Sequence, residues 1–277
     1  MLVRISKMLK HAKKKGYAVP ALAAIDELTS RAAIEAAERM KSPVILLCME
    51  NGNKDLYYFG KMINDFAIRA QIPVALVYDH TTSFESAVKG IRAGFNCIMV
   101  DRSQLPYEEN VAQVKELVRI AHAVNVEVES ELGHVGMEDS DAKDSEYSLT
   151  VPAEAVKFVE ETNVDCLAVA IGTSHGVYKG KPKLRFDLLE ELAEKVPVPL
   201  VLHGGSGTGD ENLAKTCKKG ICKVNIVNDL YRSAYNASIS DGMDGNRIYN
   251  LFPVLSNGYI ETAMHFMKVL GSAGKGI

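Results

Sequence analysis

Much of what would mark a chain for export, membranes or nucleic acid is missing here. The five cysteines (Cys48, Cys97, Cys166, Cys217, Cys222) form no C-x-x-C pair, are odd in number and mostly sit in apolar runs. This argues against a disulfide framework and leads us to expect reduced core thiols in a cytoplasmic protein. No apolar stretch approaches the roughly 20 residues of a membrane span. The first sixteen residues, Met1 to Gly16, hold six Lys or Arg among apolar residues, with no continuous apolar run, so they read as an amphipathic helix rather than a signal peptide. A net charge of −3 and a pI near 6.2 provide no basic field for nucleic acid or anionic lipid. The partner expected is a small molecule. With 47% hydrophobic and 24% charged residues, and no linker or low-complexity tract, the 277 residues read as one domain with a large core.

What is present is a rhythm. Short apolar, β-rich runs fall at Ala18–Ala23, Val44–Cys48, Val74–Tyr78, Cys97–Val100, Val126–Glu131, Cys166–Ile171, Leu200–Leu202 and Cys222–Ile226, with amphipathic helical segments between them. Continuous apolar character argues for parallel strands buried on both faces, and the alternation predicts an α/β fold, the (β/α)8 barrel, over residues 1–277. Pro20, Pro43, Pro73 and Pro199 stand at or beside strand starts. A helix over about residues 250–270, from Pro253 to Leu270, ends the fold, and Gly271–Ile277 is expected to fray. The stretch from Gly133 to Ser148 is polar, acidic and proline-free, and reads as a lid over the C-terminal rim, where barrels carry their chemistry.

Three histidines fall at the ends of different predicted strands on that rim: His80 in Val-Tyr-Asp-His-Thr, His175 in Gly-Thr-Ser-His-Gly and His203 in Val-Leu-His-Gly-Gly. Three neutral imidazoles converging on one point would hold a divalent ion, zinc above all, with a vacant position for substrate. Asp79, one residue before His80, could move protons there, or could merely cap the next helix, a task Thr81, Thr82 or Ser83 could take instead. His11, His122 and His265 lie in predicted helices and read as ordinary polar groups. Gly204-Gly205-Ser206-Gly207 follows the seventh strand and precedes a helix near Asp210, so it forms either an anion cradle or a tight turn. The G-x-G-x-x-G, G-x-S-x-G and Walker patterns are not satisfied. Glu129 and Glu131 share one face of the fifth strand, either the packed interior or the helix side, and one of them is a candidate for a place beside the metal.

These residues resemble those of the class II, metal-dependent ketose-bisphosphate aldolases, the group of fructose- and tagatose-bisphosphate aldolases. The likeness runs from Met1 to about Arg232. It is carried by Gly-Tyr-Ala-Val-Pro-Ala, Asp79-His80, Ala-Gly-Phe near Gly94, Glu-Glu-Asn at 108–110, Glu-Leu-Gly at 131–133, His175-Gly176 with Tyr178-Lys179-Gly180, His203-Gly204-Gly205-Ser206-Gly207 and Lys223-Val224-Asn225-Ile226. The resemblance implies Zn2+, or another divalent transition metal, on His80, His175 and His203, optionally with a monovalent cation. It implies that Asp79 exchanges a proton with the C4 oxygen as a carbon–carbon bond is made or broken, and that a lid carboxylate, Glu138 or Asp139, takes the C3 proton. One glycine of the usual lid pair is Met137 here. It further implies that the phosphate of a dihydroxyacetone-phosphate-like donor rests on Gly176, Lys179, Gly204, Ser206, Asn225 and Asn228, the last standing for a threonine. A sugar phosphate and an aldehyde are the partners implied, and a homo-oligomer, dimer or tetramer, the assembly.

Departures from the family pattern cluster on the other half of the substrate. Ala21-Leu22-Ala23 stands where the family has Ala-Phe-Asn, Leu47-Cys48-Met49 where it has Gln-x-Ser, and Val227 and Tyr231 where polar or cationic groups are usual, with Arg232 one residue away. The reading that follows is an aldolase with an atypical acceptor aldehyde. Its alternatives are a fructose- or tagatose-bisphosphate aldolase proper, an aldolase whose ketone donor also differs, and a retired aldolase acting as a subunit or stabilising partner. The intact Asp79 and three histidines count against retirement.

Overall fold

The protein, described by a computed structural model over residues 1–136, 149–176, 178, 180, 182–240 and 248–276, is built on a closed barrel of eight parallel strands in sequence order. They are β1 (Val19–Ala23), β2 (Val44–Met49), β3 (Val74–Thr81), β4 (Cys97–Val100), β5 (Glu127–Leu132), β6 (Cys166–Val169), β7 (Leu200–Leu202) and β8 (Ile221–Ile226). β1 pairs with β8 to close the ring, and helices alternate with the strands around it, giving the (β/α)8 barrel in a single domain. No described helix is long and apolar enough to cross a membrane.

Because successive side chains in a strand point to opposite faces, each strand feeds two cores. Leu46, Leu76, Ile98, Val128, Leu167 and Leu202 pack outward under the helices. Val19, Ala21, Ile45, Leu47, Ala75, Val77 and Met99 fill the interior together with Ile5 and Leu9 of the amphipathic helix Ile5–Lys15. This places Glu127, Glu129 and Glu131 on the interior face of β5, in three successive layers along the barrel axis. The lowest, Glu127, is held by the backbone N–H and hydroxyl of Ser6 and by Arg4.

Local signals set the helix starts. Asp26 and Thr29 form a reciprocal capping box for Glu27–Met40, and Ser83 accepts from the Ser86 N–H to cap Phe84–Ala93. Ser83 thus takes the capping role that had been open to Asp79.

Three expectations change. β3 runs on through Asp79, His80 and Thr81, with His80 at φ 51° and the register to β4 shifting between Tyr78 and Thr81. β6 stops at Val169, because Thr150 takes over the next ladder positions: its N–H donates to the Ala170 carbonyl and its hydroxyl accepts from the Ala170 N–H. The tail after Leu251–Val269 does not fray over its described part: Gly274 and Gly276 donate to the carbonyls of Met40 and Lys41, and Ser272 pairs with Ser42 in a buried contact.

Gly60 marks the closest approach of two outer helices. A Cβ there would lie 2.0 Å from the Ala93 carbonyl oxygen. Gly60→Ala is therefore expected to push Leu56–Arg69 away from Phe84–Ala93 and cost about 1–3 kcal/mol, read as a lower urea midpoint with unchanged slope.

Candidate active site

At the C-terminal rim the rings of His80, His175 and His203 converge, with centroids 4.8 to 5.7 Å apart. One nitrogen from each lies within 4.8 Å of the others. The three arrive by different routes. His80 sits inside β3 in a left-handed conformation that a branched or bulky side chain rarely adopts, and this turn of the backbone re-aims its ring. His203 directly follows β7, while His175 lies six residues beyond the end of β6 on the loop.

Each imidazole has one nitrogen occupied by the protein. His80 Nδ1 pairs with Asp101 Oδ2 at 2.8 Å, His175 Nδ1 donates to the Val135 carbonyl at 2.9 Å and His203 Nε2 pairs with Glu129 Oε1 at 2.9 Å. The nitrogens left over are His80 Nε2, His175 Nε2 and His203 Nδ1. The last two are buried without a hydrogen-bond partner among the described residues. His203 Nδ1 is 3.1 Å from Glu131 Oε2, a contact close enough for charge attraction but not aligned as a hydrogen bond. Outer acceptors that fix ring orientation and tautomer are what ligating histidines need.

The charge balance points the same way. Among the described residues, Asp79, Glu129 and Glu131 are buried here with one ammonium, Lys223, so the carboxylates outnumber it. Buried charge must be compensated, and the compensation comes from a proton on His203 or from a cation among the histidines. Burial alone would raise the Glu129 carboxyl, but Lys223 Nζ at 2.8 Å, then His203, bring it down to about 2. Burial works against a charged His203 as well, yet Glu129 and Glu131 at its two nitrogens outweigh it and lift the ring to about 10. His175 goes the other way, to about 4, through burial and then the neighbouring His203 and His80. It is the imidazole most ready to ligate as a neutral base. A second set of converging donors, Asp79, Glu129 and His203, suits a cation less well because Lys223 already sits on Glu129.

Asp79 lies beside this centre, its Oδ2 3.7 Å from His80 Nε2 and 3.3 Å from the Asn225 amide, which donates to it, and its Oδ1 buried without a partner among the described residues. Asn225 therefore holds Asp79, a task the sequence did not disclose. A cleft of about 420 Å³ opens above, its lining including Asp79, His80, His175, Gly204, Gly205 and Ser206. Ser206 Oγ accepts from the N–H groups of Val227 and Asp229, so its own proton is free to donate into the cleft. Gly204 and Gly205 also serve close packing: a Cβ on them would strike the Ser174 carbonyl oxygen at 2.2 Å and Val224 at 2.5 Å. The tight turn is thus observed, with Ser206 and the glycines lining the cleft. Asn228 lines the cleft too, its amide donating to the Gly176 carbonyl at 2.9 Å and tying the loop after β6 to the end of β8.

Of the positions that depart from the family pattern, Met49 and Val227 line the cleft. Leu47 belongs to the barrel interior, the Ala23 carbonyl accepts from Tyr259, and the Tyr231 hydroxyl is buried without a partner among the described residues. Arg232 is exposed. Glu138, Asp139, Met137 and Lys179 lie outside the described residues. Residues not anticipated from sequence are Asp101, Lys223 and His134. Lys223 could have been suspected, since a lysine two positions before Asn225 in an apolar strand must face inward with it.

The family model described as class II fructose-bisphosphate aldolase matches residues 3–275. A relative from Bacillus subtilis (strain 168), named "Probable fructose-bisphosphate aldolase", is 40% identical over 230 residues, 81% of each chain. The crystal structure of the YdjI aldolase from Escherichia coli K12 superposes with a TM-score of 0.90 at 34% identity over the full length of both chains. A fructose-bisphosphate aldolase from Campylobacter jejuni superposes with a TM-score of 0.83 at 20% identity, over 98% of this chain and 96% of its own, a likeness of fold alone.

Lys223→Met leaves Glu129 without its ammonium and should destabilise the metal-free protein by about 3–5 kcal/mol in equilibrium unfolding. The Glu129 carboxyl is depressed in the folded state, so its contribution is complete above the ordinary carboxylate pKa of about 4.3 and is lost as pH falls through that value towards about 2. The stability gap between wild type and Lys223→Met should therefore narrow on acidification.

Proposed function

The chain belongs to the class II fructose-bisphosphate aldolase family and is an aldolase, a carbon–carbon lyase, and from that premise we propose that it joins a dihydroxyacetone-phosphate-like donor to an aldehyde carrying no distal phosphate. The observation that carries the metal-dependent part is the pinning of one nitrogen on each of His80, His175 and His203 while the other three nitrogens converge. These residues would hold the ion. Zinc is proposed because three imidazoles of moderate softness suit it best. When bound, the ion supplies Lewis-acid polarisation of the donor carbonyl.

The remaining roles fall to the chain. Asp79, held by Asn225, carries the proton at the oxygen of the acceptor aldehyde, delivering it as the new bond forms and removing it in cleavage. Ser206 donates its free hydroxyl proton to the donor's phosphate beside Gly176 and Gly204, with Asn228 bracing the loop. Lys179 would add a cation there, and Glu138 or Asp139 would take the donor's C3 proton. The acceptor half rests on Met49 and Val227, and no Arg or Lys is among the described residues that line the cleft. A homo-oligomer belongs to the same proposal, supported by the exposed Tyr235, Tyr249 and Phe252 near the C-terminal end. A cytoplasmic location is supported by five buried free cysteines.

A second reading, fructose- or tagatose-bisphosphate aldolase proper, is favoured by the name of the Bacillus subtilis relative. Kinetics separate the two. Each missing charge-assisted hydrogen bond to a distal phosphate is worth roughly 1.5–3 kcal/mol, or about one to two decades in kcat/KM. Ketose monophosphates carrying only the C1 phosphate should exceed fructose and tagatose 1,6-bisphosphates by at least that margin. A bisphosphate that matches or surpasses every monophosphate tried establishes the second reading.

Two further outcomes are expected. Purified enzyme should carry one divalent ion per chain, lose turnover on complete chelation and regain it on addition of zinc, whereas turnover that survives metal removal defeats the mechanism. Asp79→Ala should lower kcat by about 10²–10⁴-fold with metal content near normal. Loss of the metal instead would make Asp79 structural.

A further inference from the structure

We propose that His134 is a positioning residue of the metal centre, holding His80 through the carboxylate behind it, Asp101. The inference rests on the three-histidine metal site. His134 follows β5 by two residues, and its Nδ1 is 2.8 Å from Ser103 Oγ. The Ser103 hydroxyl donates to Asp101 Oδ1 at 2.8 Å, and the Ser103 N–H donates to the same oxygen at 3.1 Å. Since the hydroxyl proton is committed to Asp101, Ser103 must accept from His134, which fixes a proton on His134 Nδ1. Asp101 Oδ2 in turn accepts from His80 Nδ1, leaving His80 Nε2 with a lone pair for the ion. A relay of three hydrogen bonds therefore runs from His134 to the ring of His80.

The same nitrogen of His134 stands 3.7 Å from Glu131 Oε1, the oxygen that accepts from the Val135 N–H at 2.9 Å. The other oxygen of Glu131 faces His203 Nδ1. The next two residues take the third ligand: the Val135 carbonyl accepts from His175 Nδ1 at 2.9 Å, and the Gly136 carbonyl accepts from the His175 N–H at 2.8 Å. His134, Val135 and Gly136 thus gather links to His80 and His175 into one short stretch. The links to His175 are backbone carbonyls that any residue supplies. The one to His80 depends on the His134 side chain, so it is the one substitution can probe.

Removing the ring frees the Ser103 hydroxyl to rotate away from Asp101 and leaves His80 less well held. Loss of a partner that orients a metal ligand costs about 10–100-fold in affinity, and His134 acts one bond further out, which places His134→Ala near tenfold. His134→Asn keeps a donor near the position of Nδ1 and should recover most of it. The test uses full-length protein stripped of metal and loaded with cobalt(II), with affinity measured by chelator competition and ligand geometry by the visible d–d spectrum.

Weaker binding by about tenfold in His134→Ala, with an altered spectrum, and near-wild-type values in His134→Asn support the proposal. An affinity within twofold of wild type with a superimposable spectrum overturns it, as does equal weakening in both variants, which would mean that the ring merely fills space. If His134→Ala does not fold, Ser103→Ala breaks the same relay and is judged by the same two readouts. Wild-type protein that binds cobalt no better than a variant lacking His80, His175 and His203 removes the metal reading itself and this proposal with it. Tight wild-type binding alongside an unchanged His134→Ala overturns this proposal alone.

Discussion

Glu129 sits in the middle of the barrel, fully buried, and its charge persists because Lys223 and His203 both lie against its carboxylate. Taking a carboxylate and an ammonium out of water is costly, and their attraction offsets that cost only when the remaining donors and acceptors are also satisfied. Here the remaining acceptor capacity is spent on a histidine of the rim. The interior ion pair is therefore continuous with the functional end of the barrel, and the orientation of His203 is inherited from the packing below it.

The rim repeats this logic at each ligand. Asp101, the Val135 carbonyl and Glu129 each take one imidazole nitrogen, so the three rings, one from β3 and two from the segments after β6 and β7, present their free nitrogens to a common point. The buried carboxylates outnumber the buried ammonium, and this excess of negative charge suits a divalent ion. The cleft around the centre is lined by Ser206 and by glycines that let backbone approach backbone, and also by Met49 and Val227, whose side chains offer no hydrogen bond to a sugar hydroxyl or phosphate.

The barrel was readable because a parallel strand buried on both faces must be apolar throughout, and the eight apolar runs were separated by helical periods. The strand ends were less so. β3 extends through His80 because the backbone accommodates a left-handed residue and a register shift, and β6 ends early because a threonine from another segment replaces a ladder partner. Neither event has a local signature. The tail was expected to fray as a chain terminus, yet backbone donors of Gly274 and Gly276 reach the end of a helix more than 230 residues earlier in the chain. Of the five positions that depart from the family pattern, Met49 and Val227 line the cleft, whereas Leu47, two residues before Met49 and on the same face of β2, lies a layer deeper in the barrel interior.

By itself the sequence determined the period of the strands, the residue types at their C-terminal ends and the family to which those motifs point, because these depend on local pattern and on side-chain chemistry. Tertiary structure alone decided that the β5 glutamates face the interior, that Lys223 neutralises one of them, that Ser83 rather than Asp79 caps the following helix, and that His134 is linked to His80 through Ser103 and Asp101. Each of these depends on which strands become neighbours and on the direction a side chain takes once the barrel closes. Residues 31, 74 and 94 positions apart, such as Ser103 and His134, Glu129 and His203, and Glu129 and Lys223, become hydrogen-bond partners only then.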